Sequence, residues 1–199
     1  HSERPSKKHP HGKVSNPVLR SVTWDPSQYS AVIDVRSPSE FQLDRIPGAV
    51  NCPVLNDEER ALVGTMYKRN PFEARKTGAS IVSRNIANII EQVCLDKPRD
   101  WRPLVYCWRG GQRSSSLAHV LSSIGFRATV LEGGYVTYRR DVRRVIDELA
   151  PRLRLRVVCG PTGSGKTTLL RDLVEHGWQV LDLEGLAKHR GSVLGNVEG

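Results

Sequence analysis

Apolar positions along the chain fall in short clusters, and the spacing within them changes from one cluster to the next. YSAVIDVR (29–36) is a brief apolar run and predicts a strand. SPSEFQLDRI (37–46) follows it, with Ser37 three residues before Glu40, the pattern of a helix start. IPGAVNCP (46–53) reads as a turn entering a second strand. In SIVSRNIANIIEQVC (80–94), Ile81, Ile86, Ile89, Ile90 and Val93 recur at helical spacing. RPLVYC (102–107) predicts a buried strand, SSSLAHVLSSIG (114–125) a helix with Leu117, Val120, Leu121 and Ile124 inward, and ATVLEGG (128–134) a further strand. YVTYRRDVRRVIDEL (135–149) is amphipathic. Tyr138, Val142, Val145, Ile146 and Leu149 share one face; Arg139, Arg140, Arg143 and Arg144 share the other, as a solvated surface or a contact for a phosphate backbone.

Strands separated by helices imply an α/β domain with a mostly parallel sheet covered on both faces. Its expected span is 18–150. Residues 1–17 are polar, basic and Pro-bearing, with no apolar segment of a secretory signal, and read as a disordered tail. After Pro151 comes RLRLRVVCGPTGSGKTTLLRDLVEHGWQVLDLEG, which reads as strand, loop, helix and strand. That is the opening of a second domain over 151–199, too short to bury a core of its own. The chain opens on His1 rather than Met, as expected of a fragment, and an upstream targeting segment stays open.

Composition narrows the classes. Of 199 residues, 38% are hydrophobic and 26% charged, ordinary for a globular protein, and no run reaches the roughly 20 apolar residues of a membrane helix. The formal charge of +9 favours polyanionic partners. Four cysteines without C-x-x-C spacing fit free thiols in a reducing cytoplasm, and the six histidines form no ligand cluster.

Two loops carry chemistry. In Cys107-Trp108-Arg109-Gly110-Gly111-Gln112-Arg113 a cysteine ends the strand and a helix is expected to begin near Ser114. Loop amides, the helix N-terminus and the guanidinium groups of Arg109 and Arg113 would together favour a thiolate, the nucleophilic form. Gly110 and Gly111 supply the backbone freedom of a tight loop. The spacing from Cys107 to Arg113 also fits the loop of cysteine phosphatases, for which Asp34 or Asp44 would have to act as general acid. The second loop, Gly160-Pro161-Thr162-Gly163-Ser164-Gly165-Lys166-Thr167, matches G-x-x-x-x-G-K-[ST] between an apolar run and a helix with Leu169, Leu170, Leu173 and Val174 inward. Its amides and Lys166 would hold a phosphate, and Thr167 would ligate Mg²⁺. Asp182 is open to a metal or a capping role.

IDVRSPSEF and IPGAVN around the Cys107 loop resemble the rhodanese fold, which includes sulfurtransferases and dual-specificity phosphatases. With NDEERALVGTMYK, CWRGGQRS, LEGGY, GPTGSGKT and DLEGLAKHRGS, the chain after the tail resembles the tRNA 2-selenouridine synthases. That resemblance implies exchange of sulfur for selenium at wobble 2-thiouridine of tRNA. Selenophosphate, from a selenophosphate-supplying enzyme, would be the donor, and geranyl diphosphate the source of a geranylated intermediate. Cys107 would be the essential cysteine and the second loop a phosphate site for a nucleotide, the prenyl donor or RNA. A rhodanese-type sulfurtransferase and a non-catalytic tRNA-binding fragment are the rivals.

Overall fold

A computed structural model describes residues 16–187, in two compact units that divide between Glu148 and Leu149. In the first unit five strands form one sheet in the order β1-β5-β4-β2-β3, every pair parallel. They are β1 (Leu19–Ser21), β2 (Ala31–Asp34), β3 (Val50–Asn51), β4 (Pro103–Tyr106) and β5 (Thr129–Leu131). The central strands are buried on both faces, so alternate residues feed two cores. Ile33, Val105 and Val130 join Ile86, Ile89, Leu117 and Leu121 on one side. Val32, Leu104 and Leu131 join Ile46, Tyr135 and Tyr138 on the other.

The helices are α1 (Pro38–Leu43), α2 (Asp57–Arg69), α3 (Pro71–Ile89), α4 (Gln112–Ile124) and α5 (Gly134–Leu149). α1 starts at the expected Ser37–Glu40 capping box. α2 has a capping box of its own between Asn56 and Glu59, and Asn70 both closes α2 and caps α3, where Pro71 takes the first turn. A π-helical stretch, Ile90–Cys94, extends α3. It turns Ile90 and Val93 as well as Ile89 and Cys94 toward the core.

Several expectations change. The helix after the Cys107 loop begins at Gln112, two residues early, so Gln112 and Arg113 stand on its first turn. In α4 Leu117 and Leu121 are buried as expected, with Ser114, Ala118 and Ser122, and Val120 packs half-buried against the same core, while Ile124 is exposed beside the terminal Gly125. The apolar stripe of α5 is buried at Tyr135 and Tyr138, where Trp24 meets Tyr138 edge-to-face at 4.9 Å. Val145, Ile146 and Leu149 on the same stripe are exposed. At the N-terminal end, the Asn16 amide donates to the Ser122 carbonyl, so Asn16, expected within the tail, is bonded to the domain. Residues 1–15 of that tail lie outside the described residues, as does the end of DLEGLAKHRGS.

The second unit holds α6 (Lys166–Glu175) and the short α7 (Leu183–Leu186), with no strand among its described residues. RLRLRVVC and WQVLDLEG were expected as strands. A strand exists only by pairing, and Leu153, Leu155 and Val157 lie exposed without a ladder partner among the described residues. Leu169 and Val174 of α6 are likewise exposed. Among the described residues no helix is long and apolar enough to cross a membrane.

Candidate functional site

β4 delivers Cys107 from the middle of the sheet, and the loop behind it folds over the sulfur. The Gly111 amide donates to Cys107 Sγ at 3.3 Å, and the Ser114 hydroxyl stands 3.3 Å from the same atom. The Ser114 hydroxyl also lies 3.2 Å from the Gly111 carbonyl oxygen, so its one proton goes to that oxygen beside a thiol and turns to the sulfur beside a thiolate. Cys107 is only 4% exposed. One backbone amide and one hydroxyl thus face the sulfur at the N-terminal end of α4, where the helix dipole favours negative charge. This cradle suits a nucleophilic sulfur or an anionic group carried on it.

The loop's shape depends on a second turn. The Cys107 and Trp108 carbonyls accept from the Tyr135 and Val136 amides at 2.9 and 3.2 Å, which pins the loop to the start of α5. At that contact Gly110 has φ +65° and Gly134 φ +57°. A Cβ on Gly110 would fall on the Leu131 carbonyl oxygen, and one on Gly134 on the Cys107 carbonyl oxygen. Glycine is required at both positions by conformation and by space.

The charged groups are differently placed. Arg109 and Gln112 are exposed. Arg113 Nη1 donates to Glu40 Oε2 at 2.9 Å, so its charge is shared with α1 rather than given wholly to the loop. Burial tends to raise the Glu40 pKa, but the Arg113 hydrogen bond and charge, with the Ser37 amide and Arg60, hold it below the ordinary value. Beneath the loop, Arg36 is 1% exposed and donates to both carboxylate oxygens of Asp34, with its Nη2 2.7 Å from Oδ2. Its guanidinium lies 4.1 Å from the centre of the Tyr135 ring. A cavity of about 970 Å³ opens beside Trp108, with Arg36, Asp44, Tyr135, Arg140 and Arg143 in its wall.

Neither proposed general acid is free for phosphatase chemistry. Asp34 is buried in the Arg36 ion pair. Asp44 accepts from Tyr135 and from Arg139 (2.8 Å), and although burial opposes it, those bonds hold its carboxyl below the usual range, as a carboxylate. Cys52 and Cys94 are buried, and burial pushes both thiols up, Cys52 to about 11; Cys159 is exposed.

In the second loop Gly163 and Gly165 take φ +81° and +80°, and a Cβ on either would meet nothing within 4 Å. Open space therefore lies over the loop at the N-terminus of α6, and the residues fit a phosphate group. Lys166 Nζ donates to the Gly160 and Pro161 carbonyls at 2.8 and 2.9 Å. Pro161, Thr162, Ser164 and Thr167 are exposed, so the loop is accessible along its length. Asp182 caps α7, accepting from the Gly185 amide at 3.0 Å. Among the described residues no three His, Cys, Asp or Glu side chains gather as metal ligands.

Ser114, Glu40 and Gly134 carry parts of the first site that local pattern does not assign to it; Glu40 is expected only as a helix cap. Ser114 lies within the quoted RSSS, but its reach to the sulfur needs the helix to start two residues earlier. Glu40 is 73 positions from Arg113, beyond any local pattern.

Residues 20–141 match the rhodanese-like domain family, and residues 153–199 match the tRNA 2-selenouridine synthase AAA domain. The chain is 44% identical over 168 residues to the tRNA 2-selenouridine synthase of Nitrosomonas europaea, covering 83% of this chain and 43% of that protein. It is 43% identical over 176 residues to the enzyme of the same name from Bdellovibrio bacteriovorus, covering 84% of this chain and 44% of that one. It thus spans less than half the length of these relatives. Among solved structures, an N-terminal domain from Clostridium difficile 630, of a protein described as ATP/GTP binding, is 35% identical with a TM-score of 0.53, covering 63% of this chain and 98% of that one. The chain belongs to the rhodanese-like family, in the group that joins such a domain to the AAA domain of tRNA 2-selenouridine synthases.

Proposed function

We propose that this protein takes part in replacing sulfur by selenium at the wobble 2-thiouridine of tRNA. The observation that carries the reading is the union, in one chain, of the Cys107 cradle with a phosphate loop; a relative 44% identical to it is named for that activity. Cys107 is the reactive cysteine. The Gly111 amide, the Ser114 hydroxyl and the start of α4 hold its sulfur and stabilise negative charge on it, with Arg109 at the exposed edge. Selenophosphate, made by a separate enzyme, supplies selenium, and geranyl diphosphate supplies the group for a geranylated tRNA intermediate, in the reducing cytoplasm.

The loop of residues 160–167 binds a phosphate group, with Lys166 exchanging its Gly160 and Pro161 carbonyl partners for phosphate oxygens. A magnesium ion there would take Thr167 as a ligand. Asp182 stays with its capping bond.

The test is mass spectrometry of tRNA nucleosides after incubation with selenophosphate and geranyl diphosphate. It uses this chain and one extended to the length of its relatives. Formation of 2-selenouridine, abolished by Cys107→Ser and reduced by Lys166→Ala, is the expected result. An extended chain that leaves tRNA unchanged but moves sulfur from thiosulfate through Cys107 would overturn the reading in favour of a sulfurtransferase.

A further inference from the structure

We infer that the α2–α3 helical hairpin is an RNA-docking arm, its tip seated on the phosphate backbone of tRNA. This rests on the proposed function and assigns the partner a surface away from the Cys107 loop.

The two helices are joined by Asn70 alone. None of the thirteen residues of α2 is buried. α2 is held along α3, where Gly78 leaves room for Val63; a Cβ on that glycine would stand 3.3 Å from the Val63 side chain. At its base the hairpin is tied to the domain, Asn85 donating to the Val54 carbonyl at 3.1 Å and to Glu59 at 2.8 Å. With about 1.5 Å of rise per residue, α2 extends roughly 20 Å from that base.

Charge is segregated along this length. Asp57, Glu58 and Glu59 occupy the first turn of α2, and Asp57 and Glu59 are used there in local bonds. Lys68, Arg69, Arg75 and Lys76 surround the tip and are exposed, as are Tyr67 (49%) and Phe72 (65%). Arg75 lies 6.0 Å from the Tyr67 ring centre and Lys76 lies 5.1 Å from that of Phe72. Among the described residues Lys76 alone of these four cations has a carboxylate partner, Glu73 at 2.7 Å.

Helix-dipole compensation accounts for Lys68 and Arg69 in the last turn of α2. It does not account for Arg75 and Lys76 in the second turn of α3, or for two solvent-facing aromatic rings. Cations interleaved with exposed rings complement a polyanion that also offers flat bases, which is nucleic acid. A formal charge of +9 on the whole chain favours the same partner.

The experiment titrates the chain with an unmodified tRNA transcript at several salt concentrations. It compares the unaltered protein with Lys68→Gln/Arg69→Gln/Arg75→Gln and with a charge-matched control, Arg20→Gln/Arg99→Gln/Arg102→Gln. The tip variant is expected to bind at least about tenfold more weakly near 0.1 M salt, with the slope of log K against log salt shallower by about two to three. The control should bind as the unaltered chain does, and Tyr67→Ala/Phe72→Ala should weaken binding with the slope unchanged. All substitutions are at exposed positions, and matching thermal midpoints establish that the variants are folded.

Equal weakening by tip and control variants would mean net charge alone acts, and would overturn the inference. So would tip variants with unaltered tRNA affinity, whether they abolish self-association or binding to phosphatidylserine vesicles instead. In those cases the selenation reading stands, since nucleoside analysis tests it separately. Failure of the unaltered chain to bind tRNA at all would overturn the inference, while nucleoside analysis of the extended chain would still decide the selenation reading.

Discussion

Gly134 lies so close to Cys107 that a side chain on it would take the place of the Cys107 carbonyl oxygen. That oxygen accepts from the Tyr135 amide at 2.9 Å, so the turn opening α5 and the loop bearing the sulfur form one interlocked unit. Gly134→Ala would force both apart and add left-handed strain at φ +57°. The expected loss is about 2–4 kcal/mol, read as a lower urea midpoint, together with any activity that depends on Cys107. Gly64→Ala gives the opposite sign. Gly64 is helical with open space around it, and the substitution should add about 0.5–1 kcal/mol. Equal effects from the two would show that the close approach does not matter.

Arg36 and Asp34 form a pair that burial makes hard to separate. Arg36→Met strips the counter-charge from a carboxylate with no access to water, at a cost of about 3–5 kcal/mol. Adding Asp34→Asn should recover part of that loss, because the remaining group is no longer charged. Thermal melts of the two single variants and the double variant measure the recovery. Simple additivity would mean the ion pair is not the source.

The bridge from Glu40 to Arg113 predicts a pH dependence. The folded-state pKa of Glu40 lies below its ordinary 4.5. Its stabilisation is therefore complete above that value and disappears as pH falls through the lower folded value. At pH 7 Glu40→Gln should be less stable by about 1 kcal/mol, a gap that closes in acid once the pH has fallen through the lowered folded value. Chemical denaturation at neutral and at acid pH checks this; a gap that persisted in acid would point to packing rather than charge.

Thiol accessibility separates the four cysteines. With its pKa near 11, the Cys52 thiol is ionised to about one part in a thousand at pH 8. Iodoacetamide should leave Cys52 and Cys94 unlabelled in the native protein, label exposed Cys159, and reach all four after unfolding. Native labelling of Cys52 would show that the core around β3 opens.

Much of this was legible in the chain because local patterns agree with the fold. The apolar PLVYC before two glycines placed Cys107 at the end of a central strand, and GPTGSGKT placed Lys166 at the head of a helix. Periodicity showed the second half of α3 but not α2, since a helix that buries nothing has no apolar stripe to show. The hairpin's capping signals at Asn56–Glu59 and Asn70-Pro71 were nonetheless present. β1 was missed for a related reason: Leu19, Arg20 and Ser21 sit on an edge, paired only with β5. The expected strands of the second unit show the converse, an alternating pattern without a pairing partner among the described residues.

β4 is hemmed in by β2 and β5, and its last side chain before the loop leads to a sulfur with almost no free surface. Such an atom cannot swing between distant stations as a carrier on a flexible arm does. It is a fixed berth, so whatever reacts with this sulfur must be carried to it, and the motion in any chemistry at Cys107 belongs to the visiting molecule rather than to the loop.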